Sequence, residues 1–299
     1  MNRDVRFDIM RGVGILLMLL GHVLSNDFAY RWIYSFHMPM FFLLSGLLSH
    51  NTALFNEKGI RYIANYSKRI LLPFVVTIGA IMLLQIGVCI MQCNTIHVGH
   101  VMGPLWFLPA LWWAKICMGA INHLPRYAFW VAIGGGLLAF IAGIWITEDR
   151  VFLLQGLCAV PFLAIGQWVK DHKLTWWMIA IGIAAWITAV CFSHLDIHGR
   201  EFGCWPLDII GACGGTWVLF KVIDYLQRAQ WMQRIMRPLA WVGRFSLAML
   251  CMHGLEWKAL LPLEEMLCDG TLLWVLRFGV TILLTLMVVY LPGLKKIYR

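Results

Sequence analysis

The chain has 299 residues, of which 61% are hydrophobic and only 13% are charged. A soluble globular domain carries about 25% charged residues, so this composition excludes an ordinary soluble enzyme. The formal net charge of +9 resides largely in short loops between apolar runs, so it does not indicate nucleic-acid binding. The nine cysteines lie mostly within those runs and indicate no disulfide framework.

Apolar runs long enough to cross a bilayer recur to the end of the chain. They predict an all-α fold, a polytopic membrane helical bundle of about ten transmembrane helices in a single membrane-embedded domain over residues 1–299. The first run resembles a signal peptide but lacks a convincing small-residue cleavage site, so we interpret it as an uncleaved span. The predicted spans are 8–25, 32–50, 70–92, 103–121, 128–146, 152–169, 175–193, 203–221, 238–256 and 271–292.

The loop charges predict the orientation of the bundle. One set of loops is basic and contains Lys58, Arg126 and Arg228, whereas the alternate loops are acidic. Both termini share the basic character of the first set. The positive-inside rule therefore places both termini in the cytoplasm, and an even number of spans agrees with that placement.

The first span carries a basic residue near one end and a histidine near the other. Arg11 and His22 are separated by about 1,100° of helical rotation, or three turns plus roughly 20°, so both side chains share one helix face. Asp8 lies three residues before Arg11 on that face. An ionisable stripe inside a membrane is costly and is expected to face protein or a water-filled cavity. The alternative for Arg11 is a flanking charge that reaches the lipid headgroups.

Polar residues from several spans are predicted at a similar depth in the outer half of the membrane. Scattered residues would be expected at random depths and partly on lipid-facing surfaces. We therefore predict a shared cavity that opens outward; the alternative is a purely structural polar network. The residues are His22, His37, Asp208, His253, Glu256 and Arg277.

The opposite, inner boundary is basic. Positive-inside bias explains most of these residues, but Arg11 and Arg244 lie within or at the edge of helical patterns. Such a ring of cations is suited to phosphate groups, which it would hold by charge-assisted hydrogen bonds. The residues are Arg11, Arg61, Lys68, Arg69 and Arg244.

Four ordered motifs resemble those of the acyltransferase family 3 membrane proteins, in particular the fucose 4-O-acetylase-like branch. The first is the basic residue followed after ten residues by a histidine, Arg11 to His22. The second and third are the His-Met-Pro to Ser-Gly segment at 36–46 and the Trp-Phe-Leu motif that begins at Trp106. The fourth is the Ser-to-His segment that ends at His253. One feature departs from the family: the pair of basic residues before the third span is adjacent here, at Lys68 and Arg69.

The resemblance implies transfer of an acyl group, usually acetyl from acetyl-CoA, to a sugar hydroxyl on the far side of the membrane. A polyanionic cytoplasmic donor suits the basic inner ring, and a polar acceptor suits the outer cavity. We therefore expect a multi-pass protein of the bacterial cytoplasmic (inner) membrane that acts on a sugar or glycan intermediate. We expect contact with membrane lipid, no nucleic-acid partner and no metal.

The residues take the following expected roles. A neutral histidine that removes the proton of the hydroxyl accelerates attack typically about 10²–10⁴-fold, and we assign His22 as that base. Asp208 and Glu256 are candidates for the carboxylate that orients it. Donor binding is assigned to Arg11, Arg69, Lys68, Arg61 and Arg244, and acceptor binding to His37, Trp106, His253 and Arg277.

The rival hypothesis is a transporter or flippase of a polar or lipid-linked sugar, whose polar residues would line a path without acyl chemistry. No inverted repeat in the sequence favours it. Acetyl incorporation or thioester hydrolysis by the purified protein separates the two hypotheses, because a transporter gives neither.

Overall fold

The structure is a computed structural model, and it describes residues 4–22, 26–49, 57–92, 102–146, 152–264 and 270–298. Within this part of the chain the fold is helical, with one small two-stranded hairpin. The elements in chain order are α1 (Val5–Gly21), α2 (Asp27–Tyr34), α3 (His37–Leu47), α4 (Glu57–Gln92), a 3-10 turn (Gly103–Trp106), α5 (Phe107–Ile121), α6 (Ala128–Trp145), α7 (Leu153–Asp171), α8 (Trp176–Phe192), β1 (Leu195–Asp196), β2 (Glu201–Phe202), α9 (Trp205–Leu226), α10 (Gln230–Ile235), α11 (Arg237–Arg244), α12 (Ser246–Glu264), α13 (Gly270–Tyr290) and α14 (Pro292–Lys295).

The all-α prediction is confirmed, and helices occupy all ten predicted spans. Among the described residues, five helical stretches are long and apolar enough to cross a membrane: Glu57–Gly87, Gly103–Ile121, Ala128–Trp145, Leu153–Asp171 and Trp205–Leu226. Trp176–Phe192 and Val275–Tyr290 are apolar but shorter. The number of spans and the position of the termini stay predictions.

Three helices differ from their predicted bounds. The second span is divided into α2 and α3 at Ser35 and Phe36, and the ninth is divided into α11 and α12 at Phe245. The helix of the third span begins at Glu57, so the basic stretch before position 70 continues it instead of forming a separate segment. The loop between α8 and α9 contains the hairpin, in which Leu195 pairs with Phe202.

The chain forms two compact units. The first comprises Met1–Asn65 and Pro109–Arg244, and the second comprises Tyr66–Leu108 and Phe245–Arg299. Helix α4 contributes its first nine residues to the first unit and the rest to the second.

Glycines bring helix backbones into direct contact in the first unit. A Cβ atom at Gly12 of α1 would collide with the Leu239 carbonyl of α11, and one at Gly243 would collide with the Asp8 carbonyl of α1. Gly46 and Gly166 fulfil the same role between α3 and α7. Close packing on small residues is typical of membrane helices, because lipid supplies no hydrophobic drive for their association.

Polar contacts in the first unit agree with the predicted alternation of the spans. Each of them joins two residues that the loop charges place on the same side of the membrane. The pairs are Arg6 with Asp224, Lys115 with Ser45, Arg31 with Cys191, Trp186 with Ser35, and Gln155 with His198.

Candidate active site

A buried ionic cluster lies in the second unit, where α12 packs against α13. Glu256 of α12 is fully buried; its Oε1 accepts a hydrogen bond of 2.8 Å from Nε of Arg277 on α13. Its Oε2 lies 3.0 Å from Nδ1 of His253, one turn earlier on α12, and 3.3 Å from the hydroxyl of Thr281. One carboxylate therefore holds a histidine, an arginine and a threonine together.

The charges in this cluster assign the proton on His253. The guanidinium of Arg277 has only donors, so Glu256 accepts its hydrogen bond, and the oxygens of a carboxylate only accept hydrogen bonds. Nδ1 of His253 must then donate the bond to Glu256. The lone pair of the neutral ring is consequently on Nε2, the nitrogen that is competent to take a proton.

The 3-10 turn that carries Trp106 belongs to the same unit and packs against α12. Leu105 lies against Gly254, where a Cβ atom would come within 2.9 Å of the leucine side chain. Trp257 contacts the turn at Gly103, and the guanidinium of Arg277 lies 5.7 Å from the centre of the Trp257 ring. Three residues predicted to bind the acceptor, Trp106, His253 and Arg277, are thus brought into one region with Glu256, a predicted candidate for the orienting carboxylate.

Two predicted donor residues, Arg11 and Arg244, lie on helices that touch near the start of α1. The carboxylate of Asp8 is largely buried and lies 3.5 Å from Nη1 of Arg11. Gly243 packs on the backbone of Asp8 and Gly12, which places Arg244 on the neighbouring helix at the level of Arg11. Asp4 caps α1, and its hydrogen bonds with Arg6 lower the pKa of the Asp4 carboxyl.

His22 lies at the other end of α1 as its C-terminal cap. Its backbone stays helical, with φ −77° and ψ −5°, so the shared face with Arg11 is preserved. Its neighbour Gly21 lies against the ring of Tyr34. The Tyr34 ring packs edge-on against the ring of His37, with 4.8 Å between the two ring centres. His37 is buried, and its Nδ1 donates to the Ile33 carbonyl at 2.8 Å.

Asp208 is buried at the start of α9. Its Oδ2 accepts a hydrogen bond of 3.0 Å from the backbone N–H of Cys204, the residue that precedes the helix. This bond satisfies an N–H group at the helix terminus, as a side-chain cap does. Of the two predicted orienting carboxylates, Asp208 thus binds a backbone N–H group, and Glu256 binds the ring of His253 in the second unit.

The remaining predicted donor residues, Arg61, Lys68 and Arg69, are exposed on α4. The structure adds residues that the sequence analysis did not assign. Thr281 completes the cluster around Glu256, and Lys115 of α5 is buried with its ammonium 2.6 Å from the Ser45 carbonyl. A lysine within an apolar run was the signal for Lys115. Among the described residues, no three His, Cys, Asp or Glu side chains converge as metal ligands would.

Comparisons with known proteins identify the family. Two curated relatives, both named nodulation protein NolL, match part of the chain. The one from Mesorhizobium japonicum is 25% identical over 212 residues, which is 64% of this chain and 54% of that protein. The one from Sinorhizobium fredii is 28% identical over 189 residues, which is 55% of this chain and 48% of that protein. The chain thus spans about half the length of the curated relatives it matches.

No solved structure matches the chain. A family model described as an acyltransferase domain matches residues 4–293, nearly the whole sequence. This match confirms the family inferred from the four ordered motifs. The chain belongs to acyltransferase family 3.

Proposed function

We propose that the protein transfers an acetyl group from cytoplasmic acetyl-CoA to a hydroxyl of an extracytoplasmic sugar or glycan intermediate. Membership of the acyltransferase family across residues 4–293 carries the proposal. The cation Arg11 lies near the start of α1, and His22 lies at the other end of the same helix. This separation supports the proposal, because a polyanionic donor and a neutral acceptor need different environments.

In the proposed reaction, His22 removes the proton of the acceptor hydroxyl as its oxygen attacks the thioester carbonyl. The new ester bond forms, the carbon–sulfur bond breaks, and the CoA thiolate leaves and takes up a proton. Arg11 and Arg244 hold the phosphates of the donor at the inner end. No acyl-enzyme is required, because the hydroxyl attacks the donor directly.

His253 is the second candidate for the base. Its Nδ1 bond to Glu256 holds the ring in the tautomer that a general base requires. In the primary proposal this histidine orients the acceptor through hydrogen bonds, together with Arg277 and Trp106. The two assignments make different predictions for single variants.

The test compares His22→Asn with His253→Asn in purified protein supplied with labelled acetyl-CoA and candidate glycolipids. We expect His22→Asn to fold, to bind CoA within about twofold of wild type, and to lose 10²–10⁴-fold in transfer rate, the range typical of a general base. His253→Asn should mainly raise KM for the acceptor. Near-wild-type transfer by His22→Asn, with a collapsed rate in His253→Asn, would move the base to His253.

The same assay tests the reaction class. Wild-type protein that moves a sugar across a vesicle membrane but never incorporates acetyl would support the transporter hypothesis instead. Loss of activity on removal of acetyl-CoA identifies the donor. Substitution of longer acyl-CoA donors measures the chain-length preference.

A further inference from the structure

A polar cleft lies in the first unit, next to the stretch of α4 that carries Arg61. It forms where α3, α5 and α7 end and α4 begins, and it is shallow and open to solvent. All four helices present their predicted inner ends to it. The polar and small residues that line it include Ser49, Gly59, Tyr62, Lys115, Asn122 and Gln167.

Lys115 is the charged residue of this cleft. It lies six residues before the end of α5, about 9 Å along the helix from its terminus, and only 6% of it is exposed. Its ammonium donates a hydrogen bond of 2.6 Å to the carbonyl of Ser45, in the last turn of α3. A lysine placed this deep in a membrane helix is costly and marks a functional position.

Capping of α3 alone does not require Lys115. The exposed Lys170 of α7 donates to the Ser49 carbonyl just beyond the same helix end, at 3.2 Å. Lys170 reaches that end from the surface, where a cation keeps its hydration at little cost. Lys115, unlike Lys170, also lines the cleft. Its charge is therefore placed where it can contact a ligand that binds in the cleft.

The other lining groups are suited to an anion. Asn122 carries an amide donor and Tyr62 carries a hydroxyl. The Ser49 hydroxyl donates to the Gly46 carbonyl at 2.8 Å, and the Gln167 amide donates to the Ser49 hydroxyl oxygen at 3.5 Å. Gly59 lies in the first turn of α4 and leaves the backbone there open to the cleft. None of the described residues that line the cleft is acidic. A buried ammonium with neutral donors and no lining carboxylate is typical of a phosphate site.

We propose that this cleft binds a phosphate group of the acyl-CoA donor, with Lys115 as its principal cation. The inference rests on the proposed function, which makes acyl-CoA the donor and brings it from the inner side. It extends the donor site from Arg11 and Arg244 to a buried lysine on α5. Asn122 positions the same phosphate by a hydrogen bond.

The test measures binding without any acetyl transfer, by calorimetry on the full chain in nanodiscs of neutral lipid. The probes are CoA and pantetheine, which lacks the phosphates. Lys115→Met should weaken CoA binding by about 10- to 100-fold, the loss expected for a hydrogen bond to a charged group, and should leave pantetheine binding unchanged. The matched control, Lys170→Met, should change CoA binding less than about twofold, since its loss removes only an exposed cation.

Two further variants cover a failure of Lys115→Met to fold. Lys115→Arg keeps the charge and should bind CoA within about fivefold of wild type. Asn122→Ala leaves the Ser45 contact intact and should weaken CoA binding by about 3- to 10-fold. Unchanged CoA affinity in folded Lys115→Met or Asn122→Ala would overturn the inference, and so would an equal loss of affinity for CoA and pantetheine.

A lipid headgroup is the competing ligand. If Lys115→Met lowers retention of phosphatidylglycerol and leaves CoA affinity intact, the cleft binds lipid and the inference is wrong. Failure of the proposed function looks different, because wild-type protein would then bind no CoA at all. Wild-type binding and transfer that both survive in Lys115→Met would overturn only the assignment of Lys115.

Discussion

Glu256 shows how a single buried carboxylate organises its surroundings. Its two oxygens accept hydrogen bonds from Arg277, His253 and Thr281. The charge of Arg277 is therefore compensated inside the bundle. Breaking a buried ion pair by removing one partner is strongly destabilising, because the other charge stays buried without compensation. The carboxylate therefore serves stability as well as the orientation of His253.

We predict that Glu256→Gln lowers the free energy of unfolding by about 3–5 kcal/mol, because Arg277 keeps its charge and loses its counter-ion. Thr281→Val, which removes only the longer hydroxyl contact of the same carboxylate, should cost about 1 kcal/mol. Thermal denaturation of the purified variants in one detergent compares the two. Equal midpoints for wild type and Glu256→Gln would show that water reaches Arg277 and compensates it.

The sequence predicted which residues carry charge at depth, but not which of them touch. Glu256 was assigned as a candidate to orient His22, and its observed histidine partner is His253. The His253 contact is visible as a spacing of three residues on one helix. The Arg277 contact joins residues 21 apart across two helices, and no local pattern encodes such a pairing.

At the scale of the helix, α1 is held by backbone contact. Gly12 and Gly243 allow α1 and α11 to approach until carbonyl oxygens of one helix lie against glycines of the other. This contact fixes Arg11 and Arg244 at one level. Any side chain at either glycine would force the helices apart.

We predict that Gly12→Ala reduces the yield of folded protein and lowers its thermal midpoint, because the added methyl group meets the rigid Leu239 carbonyl. Gly134→Ala on α6 is the matched control, since nothing lies within 4 Å of a Cβ there. The control should be neutral or stabilising by up to about 1 kcal/mol, the helix-propensity gain. A midpoint for Gly12→Ala equal to that of the control would contradict the close packing.

The apolar runs predicted where helices form, but they did not predict where those helices break. Pro39 explains the division between α2 and α3, since a proline ring clashes with the carbonyl four residues earlier, at Ser35. Pro73 does not break its helix, because α4 runs through it from Glu57 to Gln92. The break at Phe245 has no proline, and we find no local sequence signal for it.

For the whole molecule, the alternating loop charges predict a fixed orientation. The same-side polar contacts in the first unit agree with that alternation, because a wrong span between two partners would place them on opposite membrane faces. This prediction puts the two termini and the cleft at Lys115 on the cytoplasmic side. It puts the hairpin of β1 and β2 on the outer side.

Single-cysteine labelling in intact cells tests this orientation, in a background in which the native cysteines are replaced. We predict that cysteines at positions 58 and 228 react only after the membrane is permeabilised. Cysteines at positions 97 and 200 should react in intact cells; position 97 lies outside the described residues. Opposite behaviour of positions 97 and 200 would contradict the ten-span topology.

The locked position of α1 has a consequence for the reach of the donor. Arg11 and His22 are eleven residues apart on α1, so about 16 Å of helix axis separates the backbone of the residue that would hold a phosphate from the backbone of the residue that would take the proton. The helix itself fixes that spacing, and backbone contact with α11 fixes where α1 lies in the first unit. On the proposed assignment, α1 therefore sets the distance between the phosphate-binding end and the proton-accepting end of the site. A thioester on a long flexible arm bridges both ends at once, whereas a compact acetyl donor engages only one of them.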